Sequence, residues 1–108
     1  MLNQTVLVGR LASDPELFET ESGKKVMRVT LAVPRSYKNM NGEYDTDFIN
    51  CKLWQGVAQS TSEYCHKGDL VGLKGRLETH NYDTEEGKKY FTEVVAEKVT
   101  FLSSKKNN

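Results

Sequence analysis

The chain has 108 residues and a mass of 12.3 kDa, which is room for one domain. Fifteen Lys and Arg balance fifteen Asp and Glu, so no net field attracts polyanions or membranes, and an anion site must come from how the charges are arranged. The longest aliphatic run, Val6-Leu7-Val8, is far short of the ~20 residues a membrane span needs. Neither a secretory signal, a disulfide scaffold nor a metal spacing is evident around Cys51, Cys65, His66 and His80, so a cytoplasmic protein without metal or cofactor is expected.

Thr5 to Leu11 is rich in Val and Leu and stops at Ser13-Asp14-Pro15, which predicts a strand and a turn. Glu21-Ser22-Gly23-Lys24 predicts a polar hairpin tip. Val26 to Val33 alternates, with Met27, Val29, Leu31 and Val33 on one face and Val26, Arg28, Thr30 and Ala32 on the other. Pro34 is expected to end that strand, and Arg35 to Asp45, with Asn41-Gly42, to form a long hairpin loop. Asp47 to Gln55 alternates again: Ile49, Cys51 and Leu53 against Phe48, Asn50, Lys52 and Trp54.

Val57 to Lys67 has helical spacing at Val57, Thr61, Tyr64 and Cys65, with Gly68 expected to end the helix. Two strands follow, Leu70 to Tyr82 and Tyr90 to Leu102, joined by an acidic loop. In the first, Val71, Leu73 and Leu77 share a face opposite Lys74, Arg76, Glu78, His80 and Tyr82. Three strands, one helix and two strands predict a mainly β protein, a five-stranded Greek-key barrel of the OB-fold type over residues 1–103, with a short polar tail at 104–108.

One strand face combines Phe48 and Trp54 with Asn50 and Lys52. As core, it would bury the Lys52 charge without a visible partner; as plain surface, it would expose two large aromatics. A ligand that is flat, apolar and anionic resolves both, and nucleobases joined by phosphates fit. Arg28, Lys74 and Arg76 lie on the polar faces of their strands, Tyr37 lies between Arg35 and Lys38, and Tyr82 precedes Lys88 and Lys89. Taken singly, each aromatic reads equally as core or loop residue and each base as a solvated charge. Their coincidence on one face makes the case.

In order along the chain, several segments resemble the bacterial single-stranded DNA-binding proteins. They are Asn3 to Leu11 with Asp14-Pro15-Glu16, then Thr30 to Val33, Ser62 to Gly68, Gly75-Arg76-Leu77 and Thr92 to Val95. The resemblance implies an OB-fold, single-stranded DNA as partner, a homotetramer and no cofactor. It places the stacking aromatics at Tyr37, Phe48, Trp54 and Tyr82. It places the bases on the same surface at Arg10, Arg28, Arg35, Lys38, Lys52, Lys74, Arg76, Lys88 and Lys89. The sequence ends in Ser103-Ser104-Lys105-Lys106-Asn107-Asn108, without the acidic tip of replicative members, so tail-mediated recruitment of other proteins is not expected.

Coating of single-stranded DNA with little sequence preference is therefore the leading expectation, in replication, recombination, repair or DNA uptake. An OB-fold module whose aromatic face binds a protein of the replication machinery is the alternative. An enzyme is not expected: Asp45 and Asp47 stand where a loop enters a strand, and no nucleophile or phosphate-loop motif accompanies them.

Overall fold

The computed structural model describes residues 1–104. Its elements are β1 (Thr5–Leu11), β2 (Leu17–Glu19), β3 (Lys25–Lys38), β4 (Tyr44–Trp54), α1 (Gln55–Tyr64), β5 (Leu70–Thr84) and β6 (Gly87–Ser103). Five strands close on themselves. β1 pairs antiparallel with β5 and β5 with β6; β6 runs parallel to β4; β4 pairs with β3; and β3 returns to β1 through Arg10 opposite Ala32 and Leu11 opposite Leu31. This is the expected OB-fold barrel, whose closure satisfies strand edges that would otherwise stay open.

The alternation in the sequence decides which side chains fill it. Met27, Val29 and Leu31 of β3 point inward with Cys51 and Leu53 of β4, Val71 and Leu73 of β5, and Val94 and Ala96 of β6. Ala58 and Thr61 of α1 are buried against this core. Gly75 permits the tightest approach: a Cβ there would overlap the Val95 carbonyl.

Several elements differ from expectation. β2 was not foreseen; it pairs with β3 from Leu17 opposite Met27 to Glu19 opposite Lys25, continuing the β3 edge past the point where β1 leaves it. Pro34 does not end β3. It lies beyond the β1 pairing and beside a register shift, where a missing N–H is tolerated. The long loop is consequently a two-stranded ribbon, turned at Asn39, whose side-chain oxygen accepts the N–H groups of Asn41 and Glu43. β5 and β6 extend as a second ribbon to a turn between Thr84 and Gly87. Leu77, expected with Val71 and Leu73, is exposed although its ladder partner Val94 is buried in the core.

The helix is also displaced. It starts directly after Trp54, with Gln55 at a left-handed φ of 53°, and stops at Cys65, which is extended. Lys67 and Gly68 lie past its end. The His66 N–H donates to Asp69 Oδ2, Lys67 N–H to Asp14 Oδ1 and Gly68 N–H to Leu11 O, and these bonds steer the chain back to β1. Tyr64, expected on the packed face, is exposed. No helix among the described residues is long and apolar enough to cross a membrane. Of the predicted tail, residues 105–108 lie outside the described residues.

Candidate nucleic-acid interface

The β3–β4 ladder sets the site. Its register places Val26 opposite Trp54, Arg28 opposite Lys52, Thr30 opposite Asn50 and Ala32 opposite Phe48. All eight belong to the face turned away from the core, so two aromatics, two cations and two hydrogen-bonding side chains share one sheet surface. Arg10 joins through Ala32, which it also faces across the β1–β3 pairing. Its Nη1 donates to the Gly68 carbonyl at 2.9 Å.

Two concavities meet at Arg28. One, of about 390 Å³, is lined by Phe18, Thr20, Val26, Arg28, Lys52 and Trp54. The other, of about 310 Å³, is lined by Ser13, Arg28, Thr30, Asn50, Phe91 and Glu93. Lys52 Nζ stands 4.6 Å from the centroid of the half-buried Trp54 ring, a cation–π contact of about 0.5–1 kcal/mol or more.

The two ribbons carry the remaining aromatics. On the β3–β4 ribbon, Arg35 lies 6.0 Å from the Tyr37 ring and Lys38 lies 5.8 Å from the Tyr44 ring. Arg35 is committed elsewhere: its Nη2 donates to Asp47 Oδ1 at 3.0 Å, and Asp45 adds a contact at 3.9 Å. The hydrogen bond from Arg35 holds the Asp47 carboxyl below its usual range. Asp45 and Asp47 thus act as counterions. On the β5–β6 ribbon, Tyr82 faces Lys89 and Asp83 faces Lys88, while Lys89 also reaches Glu86 at 3.9 Å. The Tyr82 ring lies 6.3 Å from Phe91, and the His80 ring 4.9 Å from Phe91 on the same strip.

The expectation of a single face does not hold for Lys74. It lies between Val6 of β1 and Lys98 of β6, on the wall that β6 separates from β4. Closure of the barrel turns β5 away from the β3–β4 surface, which parity along one strand cannot reveal. Arg76 is partly neutralised, with Nη2 2.9 Å from Glu78 Oε2 and Nη1 3.8 Å from Glu97 Oε2.

Set beside known proteins, residues 2–102 match the single-strand binding protein family. The chain belongs to that family. It is 51% identical to single-stranded DNA-binding protein B of Bacillus subtilis (strain 168) over 106 positions, covering 97% of this chain and 94% of that protein. It is 49% identical to single-stranded DNA-binding protein 2 of Listeria monocytogenes, over the whole of this chain and 68% of the relative. With single-stranded DNA-binding protein 2 of Staphylococcus aureus (strain COL) the identity is 50%, over the whole chain and 78% of the relative. Membership places the chain among binding proteins rather than enzymes.

At the candidate interface of this family member, Phe18, Tyr44 and Phe91 escaped sequence reasoning. Phe18 lies on the unforeseen β2 and lines the concavity beside Trp54. Tyr44 follows the Asn41-Gly42 turn, inside the stretch expected as loop, and opens β4. Phe91 faces His80 across the β5–β6 ladder, so the polar-face reading of His80 was the one signal that pointed to it. Glu93, which lines the second concavity, is nearly fully buried and was not singled out either.

Proposed function

We propose that this chain binds and coats single-stranded DNA with little sequence preference, through base stacking and phosphate contacts. One observation carries the reading: Trp54, Phe18, Lys52 and Arg28 line a single open concavity, so aromatic rings and cations meet at one place on the sheet face. Aromatic surface accepts any base, and adjacent cations accept the phosphates, so such a site favours strand over sequence. Tyr37 and Phe48 toward one end, and Tyr82 on the β5–β6 ribbon, extend the track. Arg10, Lys38, Lys88 and Lys89 supply further cations, while Arg35 and Arg76 contribute less because carboxylates already engage them. The relatives' names agree with this use.

The protein acts in the cytoplasm, in replication, recombination, repair or DNA uptake. It assembles as a homotetramer: Val6 and Val8 on β1 and Leu102 on β6, beside Gly72, expose apolar surface on the wall away from the β3–β4 site. Sedimentation equilibrium is expected to give four times the 12.3 kDa chain mass.

Trp54 is the sole tryptophan, so its fluorescence reports on the platform. Titration with oligo-dT is expected to quench it, duplex DNA to leave it largely unchanged, and added salt to weaken the effect without abolishing it. Absence of quenching by either DNA would overturn the reading in favour of a protein partner for the aromatic face.

A further inference from the structure

Glu93 is a carboxylate with only 3% of its surface exposed, placed directly behind the β3–β4 face. Burying such a charge is costly unless cations answer it. Two groups stand within reach. Arg28 Nε of β3 is 3.7 Å from Oε2, and His80 Nε2 of β5 is 2.9 Å from Oε1. The second contact is close but poorly aligned, leaving both atoms buried without a well-formed hydrogen bond. Arg28 is 65% exposed, so its guanidinium spans from the buried carboxylate to the open face.

We propose that Glu93 is a positioning residue for Arg28, and that His80 takes up a proton when Arg28 turns to a phosphate. The inference rests on the strand-binding reading given above. A phosphate competes with Glu93 for the guanidinium. Glu93 is then left short of positive charge in a medium of low dielectric, where the loss is felt most. His80 is the neighbouring group that supplies it, since histidine changes charge near neutral pH. Binding and protonation are therefore linked, and the strand binds more tightly as pH falls through the histidine range.

Of the other groups around the pair, Glu78 favours protonation of His80, while the Arg76 cation and the cover of Phe91 oppose it and Cys51 is neutral. On β5, Glu78 Oε1 is 3.6 Å from His80 Nε2, and Glu78 is itself bonded to Arg76, which also reaches Glu97 of β6. On β4, the Cys51 thiol is pushed up to about 12, by burial first and by the Glu93 charge second, so it stays neutral throughout. Phe91 of β6 covers the His80 ring. The second histidine, His66, lies 3.9 Å from Asp69 after the helix and takes no part.

The test is the Kd for oligo-dT at fixed salt between about pH 8 and pH 6, for the wild type, His80→Gln, Glu93→Gln and His66→Gln. The expected wild-type result is about three- to tenfold tighter binding at the acid end, one linked proton permitting at most about tenfold per pH unit. His80→Gln flattens the profile and His66→Gln keeps it. Glu93→Gln, confirmed folded by circular dichroism, is also flat. Calorimetry in buffers of different ionisation enthalpy is expected to record proton uptake in the wild type and not in His80→Gln. Binding that is firm at pH 8 but indifferent to pH, or a pH dependence that survives in His80→Gln, overturns the proposal alone. Absence of binding at every pH overturns the strand-binding reading with it.

Discussion

Lys52 and Trp54, two residues apart on β4, point to the same side, and the ammonium of one stands 4.6 Å from the ring centroid of the other. On the proposed strand-binding reading, this pair would supply an aromatic surface for a base and a cation for a phosphate in one step of the strand. Arg28, directly opposite Lys52, doubles the positive charge at that point.

Replacing Trp54 by Ala is expected to weaken oligo-dT binding by about 1–3 kcal/mol, roughly 5- to 150-fold in Kd. Trp54→Phe should recover most of the loss. Fluorescence anisotropy of a labelled oligonucleotide measures both variants without relying on the tryptophan. Affinities for Trp54→Ala and wild type within twofold would remove Trp54 from the site.

Cations differ in their availability, and the salt dependence of binding should reveal it. Lys52→Gln is expected to lower the slope of log Kd against log salt by about 0.7, the value of one phosphate contact on a single strand. Arg76→Gln should change it less, because Glu78 and Glu97 already engage that guanidinium. Equal changes in the two variants would mean that DNA displaces those carboxylates.

Barrel closure depends on Gly75, where any side chain meets the Val95 backbone. Since backbone cannot yield as a flexible side chain does, Gly75→Ala is expected to destabilise the fold by about 3 kcal/mol or more. Gly42→Ala, at a turn with open space around it but a φ of 79°, should cost only about 1 kcal/mol. Urea denaturation compares the two, and similar midpoints would contradict the close packing at Gly75.

Cys51 supplies a pH dependence whose sign is fixed by burial. Its thiol is raised from 9.0 to about 12 in the folded chain, so its stabilising contribution is complete below about pH 9 and is lost as pH rises toward 12. The stability difference between wild type and Cys51→Ala should therefore shrink over that interval. A difference that stays constant with pH would show that the thiol titrates normally.

Much of the fold was legible because strands advertise themselves by alternation. Met27, Val29 and Leu31 were read as one face and are buried together; Ile49, Cys51 and Leu53 likewise point inward. Trp54, Lys52 and Phe48 were placed on the opposite side by the same rule. The rule failed where elements are short or where strands leave the core. β2 has three residues and no period to detect, and Leu77 keeps the parity of Leu73 but follows the register shift at Lys74 and Gly75 and is exposed. The helix end differs from the expected one because the Asp69 side chain three residues on, and Asp14 from a distant segment, hold the chain after Cys65.

The sequence by itself determined the fold class, the family resemblance and the side of each strand on which the aromatics and bases stand, because side-chain direction along a strand follows from local geometry. Only the tertiary structure decided which strands are neighbours. The parallel pairing of Cys51 with Val94 and the return of β3 to β1 join segments far apart in the chain. Those pairings carry Lys74 to another wall and set Phe91 and Glu93 behind Arg28. Period two tells which way a side chain points, and barrel closure tells what it meets there.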